Sequence, residues 1–370
     1  MISRRSGCYF AISLVFASVV AASLQSALGW ELGAATSCSS QHSEELNKLE
    51  KVYSIRGVRV FWTEQVPAAG QDHRLPSQSR ADDNSNGIPD YIENIARQAD
   101  AARQAFIHQG FPDPLKSPRY TAVRFIDINV LNMTYNGRAY DSAVYYPDAP
   151  GRGEECTLRI DVSAQLETRW IGPPDRSIQA EFTKHWFVVG HEVFHLFQYG
   201  LTQFKRAWIN EPTAKWAEYS LRKRARFPDK VKGYRLPKTI GHFQANVIDT
   251  PTSTTANHFW SRLIELVGNG SIESELTANL LEETYTDGEP IFKDASWQGT
   301  SFILSIYQAL YKEEYMLSTI NRSAAISWSE RHQTSSEHDT RLLTAIQQVI
   351  RDKNLGGAEI EAFLRIQDDE

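Results

Sequence analysis

The chain has 370 residues, of which 41% are apolar and 11% aromatic, and its formal charge at pH 7 is −6. A chain of this length and apolar content can bury a sizeable core, in one large or two modest domains. Because the charge balance is acidic and the sequence has no long basic block, we expect no nucleic-acid partner.

The amino terminus has the pattern of an export signal. Two arginines precede an apolar run over residues 8–24, and small residues that suit a signal peptidase follow at 27 and 29. We predict a signal peptide over residues 1–29 and a secreted or periplasmic mature protein, with a retained membrane anchor as the alternative. No later segment is apolar enough to cross a bilayer, so no stable membrane partner is expected.

Two cysteines, Cys38 and Cys156, follow the predicted signal peptide. In an exported protein such a pair most simply forms one disulfide, and two free thiols are the alternative. The disulfide would tie the mature amino end to a strand.

Residues 82–93 read DDNSNGIPDYIE and carry oxygen-bearing side chains at alternating positions, with a glycine at position six. This is the spacing of a structural Ca²⁺ loop. The predicted calcium ligands are Asp82, Asn84, Asn86, the carbonyl of Ile88, Asp90 and Glu93. Pro89 departs from the EF-hand pattern, and the segment resembles a calcium-loop-like element of secreted bacterial peptidases and surface modules. The alternative is a polar turn that caps the next helix through Asx hydrogen bonds.

Strands and helices alternate up to about residue 250. Apolar spacing predicts strands around 58–62, 120–130, 138–146 and 157–162, and a helix from 90 to about 108. The segment 133–143 contains a turn at Asn136 and Gly137, and it is our candidate for the edge strand of the sheet. An edge strand can bind an extended peptide through backbone hydrogen bonds.

The most informative motif is HEVFH at residues 191–195. On a helix its two histidines lie one turn apart on one face, where both imidazoles can reach a single metal ion. Glu192 lies beside them and can take a proton from a water molecule on that metal. The surrounding residues 182–200 predict a largely buried helix that stops at Gly200. For either histidine taken alone, a core position without metal is the alternative.

A second helix is predicted over residues 208–227, with Asn210 as its cap and Pro212 in its first turn, where proline is tolerated. Glu211 falls in the same turn. Fifteen residues separate it from His195, enough to end one helix, cross a loop and bring a carboxylate back over the histidines.

HEVFH, followed by WINE at residues 208–211 and AKWAE at 214–218, resembles the gluzincin metallopeptidases. The resemblance implies a zincin-like catalytic domain with Glu192 as its general base. The implied zinc ligands are His191, His195 and Glu211.

The sequence departs from the gluzincin pattern at two points. Pro212 stands where a glycine usually follows the ligand glutamate, and the gap between His195 and Glu211 is shorter than in the aminopeptidases. The chain is therefore placed near the secreted bacterial members of this clan. The metzincin pattern needs a glycine and a third histidine where this sequence has Gln198 and Leu201, so that group is excluded.

The residues around the metal are less specific. Glu218 follows Glu211 on the same helical face, where it either fixes the tautomer of a ligand histidine or is an exposed helix glutamate. An oxyanion donor is also needed, usually a Tyr or His in this clan. The candidates are His258, which we choose, and His242, Tyr234 and Tyr199.

Beyond residue 250 the sequence predicts helices, at 257–267, 271–283, 299–312 and 340–353. The fold class is therefore α+β. A zincin-like catalytic domain with a mixed sheet occupies 30–250, and a mainly helical part occupies 251–370.

These features together predict a secreted zinc metallopeptidase that hydrolyses a peptide or protein substrate. One alternative is a secreted binding or adhesion module whose zinc is structural and closed by a fourth protein ligand. Another is a metal-dependent hydrolase of a non-peptide bond.

Overall fold

The computed structural model describes residues 37–120, 122–167, 187–221, 233–252, 254–267, 275–292, 294–320 and 327–366. The predicted signal peptide lies outside these ranges, as do residues 182–186 and 222–227 of the two helices predicted around the metal motif. Within them the fold is α+β, with a six-stranded mixed sheet first and mainly helices afterwards. The predicted fold class is confirmed at this level.

No helix in the described part of the chain is both long enough and apolar enough to span a membrane.

The sheet is built before the metal motif. Its strands are β1 (Ser39–Ser40), β2 (Lys51–Ile55), β3 (Val58–Trp62), β4 (Phe125–Leu131), β5 (Gly137–Tyr145) and β6 (Thr157–Ser163). Their order is β1-β5-β6-β4-β3-β2. The strands β3, β4 and β6 run parallel, and β5 runs antiparallel to β6.

Within the described ranges, one margin of the sheet has no pairing strand over most of its length. The short strand β1 pairs only with Val144 and Tyr145 at the end of β5. Residues 137–143 therefore form a sheet edge, as predicted for this part of the chain, although the strand starts at Gly137 and not at residue 133.

Helices pack against the sheet and predominate in the described chain after it. They are α1 (Asp90–His108), α2 (Phe187–Leu201), α3 (Ala207–Leu221), α4 (Ile240–Phe243), α5 (Thr254–Val267), α6 (Ala278–Leu281), α7 (Thr300–Ile320), α8 (Glu330–Gln333), α9 (Asp339–Asp352) and α10 (Ala358–Leu364). The helix predicted at 271–283 is wrong over most of its described length. There Leu276 donates its N–H to the Ala295 carbonyl at 2.6 Å, so the chain is extended, and only α6 is helical.

A buried aromatic cluster fixes the helix α2 that carries HEVFH. The Phe106 ring of α1 packs against the rings of Phe194 and Phe197, with centroids 4.9 and 5.3 Å apart. Gly190 permits a close approach on the same side, because a Cβ there would lie 2.0 Å from Leu221 Cδ1. The apolar side chains of α2 are thereby buried, and its histidines lie on the side of the helix that faces Glu211 of α3.

The carboxyl end of α2 is capped by side chains from another segment. The helix continues through Gly200 to Leu201, so the predicted stop at Gly200 is wrong by one residue. Ser117 Oγ donates to the Gly200 carbonyl at 2.7 Å, and Arg119 donates to the Thr202 carbonyl at 2.9 Å. Carbonyls left free at a helix end therefore have partners without a left-handed glycine.

Helix α3 starts earlier than predicted, which changes the position of its proline. Because the helix begins at Ala207, Asn210 is not its cap, and Pro212 is the sixth helical residue. A proline there provides no N–H for the carbonyl of Trp208. The indole of Trp260 on α5 donates to that carbonyl at 2.8 Å. A side chain from the helical part thus replaces the missing backbone donor.

Cys38 and Cys156 form a disulfide, with their Cα atoms 5.9 Å apart. Cys156 directly precedes β6, so the bond links the start of the described chain to the sheet. This is the pairing expected from the sequence.

Candidate metal centre

Two helices bring three metal-binding side chains together. His191 and His195 of α2 direct their Nε2 atoms toward each other, 3.1 Å apart. Glu211 of α3 has one carboxylate oxygen 3.6 Å from His191 Nε2 and the other 3.7 Å from His195 Nε2. The predicted ligand set therefore converges on one point, although it comes from two separate elements.

The spacing of these donors fits a zinc ion. Ligands held tetrahedrally at about 2.0–2.1 Å from Zn²⁺ lie roughly 3.3 Å apart. The three observed separations, 3.1, 3.6 and 3.7 Å, are close to that value. Two imidazoles and one carboxylate are also a donor set typical of catalytic zinc.

Glu218 orients the first histidine from behind. Its Oε2 lies 3.3 Å from His191 Nδ1, and its Oε1 accepts a hydrogen bond of 2.6 Å from Lys215. Glu218 is 3% exposed, which rules out the alternative of an exposed helix glutamate. Because the outer nitrogen of His191 faces this carboxylate, its Nε2 is directed to the metal position.

Gln198 does the same for the second histidine, and sequence reasoning missed this role. His195 Nδ1 donates to Gln198 Oε1 at 2.6 Å. The Gln198 amide in turn donates to the Asn210 carbonyl at 3.0 Å and to Thr213 Oγ1 at 2.8 Å. The spacing could have indicated this contact, because Gln198 follows His195 by three residues and therefore lies on the same helical face.

The Glu192 carboxylate is held against the open edge of the sheet. It accepts a hydrogen bond from the backbone N–H of Ala139 on β5. A Cβ on Gly137 would lie 2.6 Å from Glu192 Cγ and Oε1, so this close approach requires glycine. Burial raises the pKa of Glu192 to about 7, although the charge on His191 opposes the shift.

The cluster favours positive charge strongly at its centre. Burial disfavours a charged His191, but hydrogen bonds to Glu211 and Glu218 outweigh it and raise the pKa of His191 to about 10. Burial and that charge lower the pKa of His195 to about 4. Although burial acts in the opposite direction, the histidines lower the pKa of Glu211 to about 2. A divalent cation would supply the same positive charge in place of the proton.

The cluster opens into a cleft of about 520 Å³. One wall is the edge strand β5, and another includes Trp328, Glu330 and Gln333. Tyr199 also lines the cleft, and its ring stacks on that of His195 with centroids 5.6 Å apart. A substrate in this cleft would lie along both Glu192 and the edge strand.

His258, the residue chosen as oxyanion donor, does not line the cleft. Its ring packs against Tyr234, with centroids 5.7 Å apart. Its helix α5 packs on α3, where the Trp260 indole donates to the Trp208 carbonyl at 2.8 Å. His242 and Tyr234 do not line the cleft either, so Tyr199 is the one of the four candidates that does.

In the loop at 82–93, polar side chains bond within the loop and the start of α1. The Asp82 carboxylate accepts hydrogen bonds from the N–H groups of Asn86 and Gly87, at 3.1 and 2.8 Å. Asn84 donates to the Glu93 carboxylate at 2.9 Å. Asn84 and Asn86 each accept the backbone N–H of the residue two positions on, at 3.0 and 2.9 Å, which are the Asx contacts of the alternative prediction. Among the described residues, however, no side chain caps the start of α1 at Pro89, and Ca²⁺ binding by this loop stays a prediction.

Comparison of the chain with models of protein families, with curated proteins and with solved structures finds no match. Function is therefore inferred from the site, which is where chemistry is determined in any fold.

Proposed function

We propose that this protein is a secreted zinc-dependent peptidase of the gluzincin type. The observation that carries the proposal is the convergence of His191, His195 and Glu211 beside Glu192 at the floor of an open cleft. This arrangement supplies three ligands and a separate carboxylate, as zinc hydrolases require.

The donor set favours catalysis over a structural metal. Among the described residues, the group contains His191, His195 and Glu211, and no fourth His, Cys, Asp or Glu joins it. A structural zinc ion is usually closed by four protein ligands, whereas a catalytic one keeps a position for water or substrate. Glu218 at His191 Nδ1 and Gln198 at His195 Nδ1 also favour a catalytic site, because they hold the two imidazoles in one orientation.

Glu192 has the position of a general base. When bound, a zinc ion supplies a lowered pKa for water and a Lewis acid for the scissile carbonyl. The Glu192 carboxylate, which lies beside the two histidines at the cleft, can accept the proton of the attacking water and deliver it to the leaving amine. Its hydrogen bond from Ala139 N–H holds it at the cleft wall during both transfers.

The open edge of β5 favours a peptide substrate. Residues 137–142 line the cleft without pairing to β1, so their backbone groups, apart from the Ala139 N–H that Glu192 accepts, can align an extended chain. Tyr199 is the residue proposed to donate a hydrogen bond to the developing oxyanion, because it lines the cleft beside His195. The disulfide and the predicted signal peptide agree with a site of action outside the cytoplasm.

A chelator experiment tests the proposal. The purified chain is incubated with denatured casein and with a quenched-fluorescence peptide library, before and after removal of metal by 1,10-phenanthroline. We expect cleavage that stops on chelation and returns with added Zn²⁺. Cleavage that persists without metal would contradict the proposal, and hydrolysis of esters but no peptides would favour the non-peptide alternative.

A further inference from the structure

Apart from the cluster on α2 and α3, a second group of metal-binding side chains occurs in the described chain, at His332, Glu337 and His338. His332 lies on α8, and His338 ends the short 3-10 helix Ser336–His338. We propose that these three residues form a second metal site, for a divalent ion of the kind that imidazole binds, such as Zn²⁺ or Cu²⁺.

The distances among the donor atoms suit one shared ion. His332 Nδ1 lies 3.0 Å from Glu337 Oε1, and that oxygen lies 3.9 Å from His338 Nε2. The carbonyl oxygen of His332 is a further donor, 2.8 Å from His338 Nε2. Atoms bound to one ion at about 2.0–2.2 Å are at most roughly 4.4 Å apart, so each spacing is compatible with common coordination.

Ligation requires two changes in His338. Its Nε2 contacts the His332 carbonyl oxygen at 2.8 Å, which is a hydrogen bond when Nε2 carries the proton. In the other neutral tautomer the proton is on Nδ1 and Nε2 has a free lone pair. Because no ion fits between two atoms 2.8 Å apart, the His338 ring must also turn until Nε2 and the carbonyl oxygen both face an ion to one side. With His332 Nδ1 and Glu337 the ion then has four donors.

The segment that carries the ligands is fixed to the connection between α2 and α3. The Gln333 carbonyl accepts a hydrogen bond of 2.8 Å from Lys205 N–H, and the Thr334 carbonyl accepts one of 2.7 Å from Arg206. Arg206 also pairs with Asp339 at 2.6 Å. Donors held in place in this way lose little conformational freedom when they bind an ion.

Trp328 joins this site to the cleft. Its ring stacks on that of His338 at 5.5 Å and contacts the His332 ring at 4.6 Å. The same tryptophan lines the cleft above the first metal cluster, as does Gln333. An ion at the second site would therefore hold this wall of the cleft in place. Its role would be structural, unlike the catalytic role proposed for the first site.

Metal counting on variants tests the second site. The purified chain is equilibrated with micromolar Zn²⁺, separated from free ion, and its zinc content is measured. We expect about two ions per wild-type chain and about one for His332→Ala and for Glu337→Gln. Both side chains are well exposed, at 40% and 61%, so neither substitution opens a core cavity. His42→Ala is the matched control, because His42 pairs with Asp148 at 3.2 Å on the surface, and it should leave the count unchanged.

The result also separates this proposal from the proposed function. A wild-type count of about one that falls to about zero in His332→Ala would support the second site while contradicting the first. Zinc contents of His332→Ala and Glu337→Gln equal to that of the wild type would overturn the second site.

Discussion

The metal cluster on α2 and α3 and the loop at residues 82–93 both follow from motif spacing, but their polar side chains have different partners. In the loop, Asp82 accepts hydrogen bonds from the backbone of Asn86 and Gly87, only a few residues away. In the cluster, two imidazoles and a carboxylate from separate helices face one another at 3.1 to 3.7 Å.

The difference shows what kind of contact indicates a ligand. A local motif can satisfy its own side chains, as an Asx turn does, so its spacing alone is compatible with a turn that binds no ion. Groups from distant segments that face one another at the wall of a cleft keep a demand for positive charge between them, because shielding such groups from water without a partner is costly. The cluster therefore supports a metal more strongly than the loop does.

The largest expected effect is at the ligand that α3 contributes. Glu211→Gln removes the anionic donor, and we expect zinc affinity to fall by more than about 100-fold, since even a residue behind a ligand is worth 10–100-fold. Equilibrium dialysis against a zinc buffer measures this. Glu330→Gln, a change in another carboxylate of the cleft, is the control and should bind zinc as the wild type does. Equal affinities for the two variants would remove Glu211 from the ligand set.

The next largest effect, on kcat, is expected where Gly137 at the sheet edge contacts Glu192, the proposed general base. Gly137→Ala places a Cβ 2.6 Å from Glu192 Cγ, so the carboxylate must move. Because displacement of a catalytic group by about 1 Å can cost 10²-fold, we expect kcat on a peptide to fall by roughly that factor while zinc remains bound. Gly241→Ala has open space around it and is the matched glycine control. Unchanged kcat in Gly137→Ala would mean that Glu192 is not positioned by β5.

A smaller effect on zinc affinity is expected at Glu218, which contacts His191 on the side away from the metal position. Glu218→Gln removes the charge that faces His191 Nδ1, and zinc affinity should fall by about 10–100-fold. Competition with a fluorescent chelator gives the affinity. Glu313→Gln, in an ion pair with Arg341 on another face, controls for general loss of stability. If both variants weaken zinc binding equally, Glu218 acts through stability and not through His191.

The smallest effect, on the free energy of unfolding, is expected in the loop at residues 82–93, and its calcium dependence tests the contrast between the loop and the metal cluster. Asp82→Ala removes the acceptor of two backbone N–H groups and should lower the free energy of unfolding by about 1–2 kcal/mol. Urea unfolding is measured with and without millimolar Ca²⁺, with Asp83→Ala as the neighbouring control. Stabilisation of the wild type but not of Asp82→Ala by Ca²⁺ would make the loop an ion site like the cluster. Absence of any calcium effect would leave it a polar turn.

Local periodicity was sufficient for much of the fold. The helix predicted from 90 to about 108 is observed as Asp90–His108, and the strand predicted at 157–162 is observed as Thr157–Ser163. Apolar spacing determines such elements directly, since each must bury one face. The pairing of His191 with His195 was predictable for the same reason, because one helical turn separates them.

Features that depend on distant contacts were not predictable. Helix α3 starts before Pro212, and the Trp208 carbonyl that loses its backbone donor to this proline accepts from the indole of Trp260 instead. Trp260 lies 52 residues after Trp208 in the sequence. His258 was a reasonable donor by residue type, but its helix α5 packs on α3 and the residue does not line the cleft. Sequence patterns report which face is buried, and they do not report which element covers it.

The central claim is that Glu192 acts on water at a metal held by His191, His195 and Glu211. The most direct measurement is peptide cleavage by Glu192→Gln, with zinc counted in the same sample. The account predicts wild-type zinc content and a turnover lower by about 10²–10⁴-fold, the contribution typical of a general base. Cleavage at the wild-type rate with zinc bound would contradict it.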